Sequence, residues 1–321
     1  MPFFDLKQAD LERYASSTVD PADFDSFWSD TLAEAQSVPL AVTFAPVDTG
    51  LALVDVYDVS FPGFRGQPVR GWYMVPKSGG NGTTVIKYLG YGGGRAFPHE
   101  HLLWAASGRA LFVMDTRGQG SSWSRGDTPD PDGSDPAHPG FMTRGILDKA
   151  NYYYRRVFTD GVRAIAAVKS RAETDPARIA LVGGSQGGGI TIAVAGLVGS
   201  EVAAAMPDVP FLCDFPRAIG LTTRDPYGEI VRYLVTHRSK VEQAFATLNY
   251  FDGVHFAARA KARALFSVAL MDDVCPPSTV YGAYNVWGGQ KSIEAYSFNN
   301  HEGGGAFQER AQLKWLAKQG L

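Results

Sequence analysis

The sequence predicts an α/β fold in which a mixed, mostly parallel sheet of eight strands carries helices on both faces. An antiparallel pair opens the sheet, because residues 51–61 and 68–75 alternate polar with apolar side chains around a Gly/Pro turn. Later segments are short, nearly continuous apolar runs, which are typical of strands covered on both faces. These runs are residues 83–89, 110–116, 178–184, 201–208 and 264–272. Helical patterns lie between them, and that alternation favours a doubly covered sheet.

The predicted helices follow the strands in order. Helical periodicity occupies the segment HEHLLWAAS, then residues 152–173 and residues 190–198. Residues 291–298 form the eighth strand, and residues 306–319 form a last amphipathic helix.

Three segments fall outside this alternation and are expected to extend one domain of residues 1–321. Residues 1–38 contain the helix-like FDSFWSDTLAEAQ after an Asp-Pro start signal and form an N-terminal extension packed on the core. Residues 118–150 are rich in Gly, Asp, Pro and Ser, which predicts a long loop or lid. Residues 209–262, between the sixth and seventh predicted strands, form a mostly helical insertion.

Composition and charge exclude several classes of function. The net charge of −3 comes from 30 basic and 33 acidic residues spread along the chain, so nucleic acid is not an expected partner. We see neither a secretory signal at the N-terminus nor a stretch near the roughly 20 apolar residues of a membrane span. The two cysteines, Cys213 and Cys275, form no metal-type pair. We therefore expect a soluble, cytoplasmic protein with free thiols.

A glycine-rich turn holds the candidate nucleophile. Residues 181–189 read LVGGSQGGG, and the segment from Gly183 to Gly187 fits G-x-S-x-G between an apolar strand and an apolar helix. Side chains at the flanking glycines would clash at so sharp a turn, while Ser185 needs a strained backbone that exposes its hydroxyl. A phosphate-binding loop is not indicated, because neither a following Lys-Ser/Thr nor the G-x-G-x-x-G pattern is present.

A nucleophilic serine needs a histidine as base. Where such an elbow occurs in α/β-hydrolases, the acid and then the histidine follow the serine along the chain. His301 comes directly after the last predicted strand and fits the base, whereas His237 and His255 lie in the insertion and are interpreted as surface or packing residues.

The base in turn needs a carboxylate partner. The seventh predicted strand ends in Asp272 and Asp273, whose side chains point to opposite sides, so only one of them can face the histidine. Asp208, at the end of the sixth predicted strand, is a fallback acid. The pattern alone leaves this choice open.

Ester hydrolysis also needs hydrogen-bond donors for the charge that develops on the carbonyl oxygen. The N–H of Gln186 supplies one at a helix start, where the helix dipole adds to the attraction. The loop after the third predicted strand, LGYGGGR at residues 89–95, is similar to the HGGG element of esterases. The N–H of Tyr91 is therefore the second candidate donor.

These motifs resemble carbohydrate esterase family 7, the acetyl xylan esterases and cephalosporin C deacetylases, over nearly the whole chain. The family's signatures occur in order as RGQ at 117–119, GGSQG at 183–187 and HE at 301–302. The segment DDVCPPST at 272–279 and the FDSFW near the start match as well.

The resemblance implies Ser185 as nucleophile, Asp272 as acid and His301 as base in an α/β-hydrolase fold. It favours Asp272 because the family's acid stands four residues before the first proline of PPST. It also implies Tyr91 and Gln186 as the oxyanion donors.

The resemblance further implies that Arg117 and Gln119 brace the loop beside the site, with Gly183 and Gly187 in supporting roles. Family members act on small acetylated carbohydrates or antibiotics without a cofactor or metal, and are commonly intracellular hexamers in which the insertion contributes to interfaces. A homo-oligomer is therefore expected. The Asp/Pro-rich residues 128–139 depart from the family's usual loop, so the resemblance does not predict the shape of the substrate pocket.

Three other interpretations were weighed. A lipase-like carboxylesterase with a longer-acyl pocket is the nearest alternative, because sequence does not size a pocket. A peptidase of the prolyl oligopeptidase type would need a large additional N-terminal domain. A non-catalytic binding protein of the same fold would be expected to lack a member of the triad, and all three candidates are present.

Overall fold

A single nine-stranded sheet forms the centre of the protein, for which a computed structural model describes residues 3–321. The strands are β1 (Thr43–Val47), β2 (Val54–Pro62), β3 (Pro68–Pro76), β4 (Thr84–Tyr88), β5 (Ala110–Met114), β6 (Ile179–Gly184), β7 (Ala204–Asp208), β8 (Arg263–Ala269) and β9 (Lys291–Tyr296). Their order is β1-β2-β3-β5-β4-β6-β7-β8-β9. The first three pairings are antiparallel and the remaining five are parallel, so the predicted mixed, mostly parallel sheet is confirmed.

The predicted count of eight strands is wrong, because β1 was missed. This strand, TFAPV, pairs only with β2 at the edge of the sheet, and its residues are exposed or half-buried. A half-exposed strand that contains Pro46 lacks the apolar signal of the inner strands, and an edge is where a sheet tolerates proline. The insertion consequently lies between the seventh and eighth strands.

Helices cover both faces of the sheet. They are α1 (Gln8–Leu11), α2 (Phe24–Gln36), α3 (Leu102–Ala106), α4 (Tyr153–Lys169), α5 (Gln186–Val198), α6 (Phe215–Leu221), α7 (Tyr227–Thr236), α8 (Val241–Leu248), α9 (Gly253–Arg259), α10 (Pro277–Val286) and α11 (Gly305–Lys318). The larger core cluster contains buried residues of α2, α4, α5, α9 and α10, and the smaller one contains residues of α3 and α11. Among residues 3–321, none of these helices is long and apolar enough to cross a bilayer.

The N-terminal helix α2 packs on the insertion, which supplies helices α6 to α9. Trp28 of α2 donates its indole N–H to the carbonyl of Tyr250 at 2.9 Å and contacts Phe256 edge to face. The aromatic FDSFW segment therefore forms core between two parts of the chain that are far apart in sequence.

The strand order reverses direction at β4. From β4 the chain crosses to β5 on one side and then returns to β6 on the other. In open α/β sheets, the carboxyl ends of the strands at such a point form a crevice that binds ligands. The glycine-rich loop after β4 and the serine turn after β6 meet at this crevice.

Candidate active site

Ser185 occupies the sharp turn between β6 and α5. Its backbone has φ 56° and ψ −119°, a conformation that is costly for a residue with a side chain. Two long-range bonds hold the turn, since its N–H donates to the Asp208 carbonyl at 2.9 Å and its carbonyl accepts from the Phe211 N–H at 2.9 Å. The surrounding structure therefore maintains the strained turn that the sequence motif predicts.

At Gly183 and Gly187, neighbouring backbone segments lie so close that a Cβ atom would not fit. A Cβ on Gly183 would come within 2.4 Å of the Gly187 carbonyl, and a Cβ on Gly187 would come within 2.3 Å of the Tyr88 carbonyl oxygen. Gly184 is different, because a Cβ there would meet nothing within 4 Å. The two supporting glycines are thus required by close packing of α5 against β4 and β6.

The structure brings Ser185, His301 and Asp272 into one hydrogen-bonded chain. His301 Nε2 lies 2.9 Å from Ser185 Oγ, and His301 Nδ1 lies 2.8 Å from Asp272 Oδ2. His301 sits on the loop between β9 and α11 and its side chain is 28% exposed, whereas the Asp272 side chain is fully buried. The other carboxylate oxygen, Oδ1, accepts the N–H groups of Val274 and Cys275, which fixes its orientation.

The other candidate acids have different partners. Asp273 lies 3.7 Å from Arg224 across a partly exposed pair. The Asp208 carboxylate accepts the side-chain amides of Gln308 and Gln312 at 2.7 and 2.6 Å, so it faces α11. Burial raises the pKa of Asp208 to about 7, although these amide bonds oppose the shift.

The two histidines of the insertion contact neither Ser185 nor an acid of the site. His255 is buried, and its Nε2 pairs with Asn249 Oδ1 at 2.7 Å. Burial lowers its pKa to about 4. His237 is exposed after α7 and stacks on Tyr233. Both occupy the packing and surface positions that the sequence predicts.

Within residues 3–321, the backbone N–H groups of Tyr91 and Gln186 donate no hydrogen bond to another protein group. The Tyr91 peptide is nevertheless held in place, since its carbonyl accepts the indole N–H of Trp123 at 2.8 Å and the next amide, Gly92, donates to Gln119 Oε1 at 2.7 Å. Two unpaired donors beside a serine hydroxyl can bind a developing oxyanion.

Gln119 joins the glycine-rich loop to the serine turn. Its Nε2 donates to Gln186 Oε1 at 2.8 Å, and Gln186 Nε2 lies 3.2 Å from Gln119 Oε1. Gln186 Nε2 also donates to the Leu89 carbonyl at 3.1 Å. Both amide side chains are fully buried, so their bonds fix how the two candidate oxyanion donors face each other.

Comparisons with known proteins show the family to which the chain belongs. The family model described as Acetyl xylan esterase (AXE1) matches residues 1–319. The chain belongs to the acetyl xylan esterase family. An acetyl xylan esterase from Paenibacillus sp. R4 is 39% identical with a TM-score of 0.89, covering 98% of this chain and 99% of that one.

Two further relatives agree with this family. Acetyl xylan esterase 1 from Thermoanaerobacterium sp. JW/SL YS485 is 31% identical, with a TM-score of 0.88 and coverage of 98% and 99% of the two chains. The acetyl esterase Axe7A of Xylanibacter ruminicola is 28% identical over 309 residues, which is 94% of this chain and 68% of that protein. The predicted family, the α/β-hydrolase fold and the class of carboxylic ester hydrolase are therefore confirmed.

Arg117 anchors the loop of residues 118–150 to α4. Its guanidinium donates to both carboxylate oxygens of Asp160, at 2.6 and 2.7 Å, and contacts Asp130 and Gln67. Arg156 in turn donates to Asp130 at 2.7 and 3.0 Å. The network is buried, so each charge depends on its partners.

Cys275 lies behind the esterase's serine and is not placed as a nucleophile. It is fully buried, and burial raises the pKa of its thiol, which keeps the sulfur protonated. Candidate ligand atoms of Asp272, Cys275 and His301 lie within 4.8 Å of one another. Since the carboxylate and imidazole already bond each other, the group fits a proton relay with an adjacent packed thiol better than a metal centre.

Sequence reasoning missed several residues that this esterase uses around the site. Tyr154 donates its hydroxyl to Gln186 Oε1 at 2.8 Å, and Gln119 donates to the hydroxyl of Tyr153 at 3.0 Å. The run of tyrosines at the start of the long helix was a usable signal, because buried tyrosine hydroxyls need partners. Glu229, which bonds the Tyr91 hydroxyl, has no comparable signal.

Proposed function

We propose that the protein is a serine esterase that removes acetyl groups from acetylated xylo-oligosaccharides or related small acetylated compounds, such as cephalosporin C. The observation that carries the proposal is the relay Ser185–His301–Asp272, with bonds of 2.9 and 2.8 Å, beside two free backbone amides. An acetyl ester needs this set of a nucleophile, a base and oxyanion donors, and needs no cofactor.

Acylation begins at the Ser185 hydroxyl. His301 takes the hydroxyl proton on Nε2 as Oγ attacks the acetyl carbonyl carbon, and Asp272 stabilises the imidazolium through Nδ1–H. The carbonyl oxygen becomes an oxyanion, which the N–H groups of Tyr91 and Gln186 bind. Collapse of this intermediate releases the sugar or antibiotic alcohol, which receives its proton from His301.

Deacylation repeats the sequence with water. His301 removes a proton from the water that attacks the acetyl-enzyme, and the same two amides bind the second oxyanion. Acetate leaves, and Ser185 recovers its proton from His301. The strained Ser185 backbone is maintained throughout, which keeps Oγ exposed between the base and the two donors.

The test measures kcat/KM on p-nitrophenyl esters from acetate to octanoate, together with acetate release from acetylated xylo-oligosaccharides. We expect a steep fall after acetate. Ser185→Ala should remain folded and lose turnover. A maximum at butyrate or longer would show that the protein is a carboxylesterase for longer acyl chains and not a deacetylase. Unchanged turnover in Ser185→Ala would show that Ser185 is not the nucleophile.

We further propose that the enzyme works as a cytoplasmic homo-oligomer, a hexamer by the resemblance described above. Exposed aromatic side chains support an interface, since Phe298 and Phe307 are 81% and 77% exposed and Phe3 lies 6.1 Å from Phe298 between ring centroids. The two buried free cysteines, Cys213 and Cys275, support a reducing compartment. Sedimentation equilibrium of the wild type against Phe298→Glu tests the assembly, and cell fractionation tests the location.

A further inference from the structure

We propose that Glu229, a buried carboxylate of the insertion, is a positioning residue that fixes the oxyanion hole by holding the Tyr91 side chain. The inference rests on the proposed function, in which the Tyr91 N–H binds the oxyanion. The Tyr91 hydroxyl lies 2.8 Å from both carboxylate oxygens of Glu229. These residues are 138 positions apart in the chain, so the contact joins two separate parts of the fold.

Tyr91 is the one residue with a side chain in its stretch of the loop. Residues 89–95 read LGYGGGR, so positions 90, 92, 93 and 94 are all glycines. Glycine gives this backbone more conformational freedom than any other residue would. Tyr91 consequently carries the only side chain between Leu89 and Arg95, and it adds to the bonds by which Trp123 and Gln119 hold the peptide carrying the candidate donor.

Three segments meet at this tether. Glu229 lies in the first turn of α7 and is 8% exposed, and its Oε2 also accepts the N–H of Met142 at 3.1 Å. The Tyr91 hydroxyl accepts the N–H of Phe141 at 2.7 Å. The insertion, the loop of residues 118–150 and the oxyanion loop are therefore joined through one hydroxyl and one carboxylate.

The hydrogen-bond donors and acceptors of the two side chains are complementary. Tyr91 gives its single O–H proton to Glu229 and accepts from the N–H groups of Gly140 and Phe141, while Glu229 accepts from Tyr91 and Met142. Glutamine at position 229 would keep the shape but remove the charge and replace one of the two acceptors of the Tyr91 hydroxyl with an NH₂ donor. Glu229→Gln therefore changes this interaction and little else.

In the part of the chain that the structure describes, no basic side chain forms an ion pair with Glu229. Arg232, one turn along α7, pairs with Asp225 at 2.8 Å. Burial raises the pKa of Glu229, and the bonds from Tyr91 and Met142 oppose that rise. Hydrogen bonds to a buried carboxylate are strong and directional, so they can hold the Tyr91 side chain in one position.

The test compares Glu229→Gln, Tyr91→Phe and the double variant with the wild type. We expect kcat on p-nitrophenyl acetate to fall about tenfold to a hundredfold in each single variant, because displaced oxyanion donors weaken transition-state binding. KM should change by less than about twofold. The double variant should lose little more than the worse single variant, because the two groups act as one unit.

A second readout separates positioning from general loss of structure. A trifluoromethyl ketone forms a hemiketal with Ser185 whose oxygen occupies the oxyanion hole, so its inhibition constant should rise by the factor by which kcat/KM falls. The matched control is Tyr14→Phe, which removes a 2.7 Å bond between Tyr14 and the Asp214 carboxylate, a bond that involves neither Tyr91 nor Glu229. It should leave kcat and the inhibition constant within about twofold of wild type.

The outcomes distinguish this inference from the proposed function. If Glu229→Gln and Tyr91→Phe behave like Tyr14→Phe while Ser185→Ala is inactive, the tether is wrong and the esterase mechanism stands. If Ser185→Ala retains turnover, the proposed esterase mechanism itself is wrong, whatever the Glu229 and Tyr91 variants do. Should Glu229→Gln not fold, Tyr91→Phe, which keeps the carboxylate, decides alone: a fall in kcat with a matching rise in the inhibition constant supports the tether, and unchanged values overturn it.

Discussion

Gln119 and Gln186 exchange a pair of side-chain amide hydrogen bonds of 2.8 and 3.2 Å across the base of the candidate oxyanion hole. One amide belongs to the loop of residues 118–150 and the other follows the nucleophile, so the pair sets the spacing between two loops. Gln119 also accepts the Gly92 N–H, next to the Tyr91 donor. The geometry of the candidate hole therefore depends on a fully buried pair of side-chain amides.

Replacing Gln119 by leucine should weaken both stability and catalysis. The Gly92 N–H would be left without its partner in a buried place, which costs about 1–3 kcal/mol, and the Gln186 amide would keep only its bonds to Leu89 and Tyr154. We expect a lower free energy of unfolding in urea and a lower kcat on p-nitrophenyl acetate. Gln243→Leu is the control, since it removes a 3.0 Å amide bond to the Leu147 carbonyl at the surface. Equal behaviour of the two variants would contradict the role of Gln119.

The glycines of the nucleophile turn should differ sharply in their tolerance of alanine. A Cβ at Gly183 would lie 2.4 Å from the Gly187 carbonyl, whereas one at Gly184 would meet nothing within 4 Å. We expect Gly183→Ala to lose about 3 kcal/mol or more of unfolding free energy. Gly184→Ala should stay within about 0.5 kcal/mol of the wild type.

Urea unfolding followed by tryptophan fluorescence measures both glycine variants under one set of conditions. Acetate release then reports whether each folded variant keeps its nucleophile turn. Similar losses at positions 183 and 184 would show that backbone crowding is not what requires glycine at this turn.

The motif-bearing parts of the site could be predicted from sequence because their chemistry is local. The turn around Ser185 needs its flanking glycines within two residues, and His301 lies on the short loop between β9 and α11. The choice between Asp272 and Asp273 was not local, because it depends on which side chain faces a loop 29 residues away. Only the resemblance to a family favoured Asp272, and the structure gives that residue the bond to His301.

Other parts of the molecule gave no usable sequence signal. The edge strand β1 is largely exposed and contains Pro46, so neither apolar content nor strand propensity marks it. The bond between Tyr91 and Glu229 joins loops that are distant in sequence. Such contacts arise from tertiary packing, and no spacing rule within one segment predicts them.

The thiol of Cys275 should be unreactive in the folded enzyme. Its side chain is fully buried, and burial raises the pKa of the thiol well above its ordinary value, so little thiolate forms at pH 8. Cys213 is equally buried, and burial raises its pKa in the same way. Ellman's reagent should therefore detect neither thiol in native protein and both in denaturant, with esterase activity unchanged by the reagent. Rapid native labelling of Cys275 with loss of activity would contradict this expectation.

Asp208 should make the protein less stable as pH rises. Burial raises its pKa to about 7 in the folded state, against 3.8 as the ordinary value. Between these values the folded protein keeps a proton that the unfolded chain has lost, so the stability present below about pH 4 is lost as pH rises to about 7. The shift corresponds to a loss on the order of 4 kcal/mol.

Asp208→Asn removes this titration, because an amide stays neutral at every pH. The Asn oxygen can still accept from Gln308 or Gln312, and the other glutamine can rotate to accept in turn. We therefore expect the advantage of the variant over the wild type in urea to grow steadily from pH 5 to pH 8. Asp30→Asn, an exposed change of equal charge, should show no such divergence. A constant difference between Asp208→Asn and wild type across this range would mean that Asp208 is already ionised in the fold at pH 5, held so by its two glutamine donors.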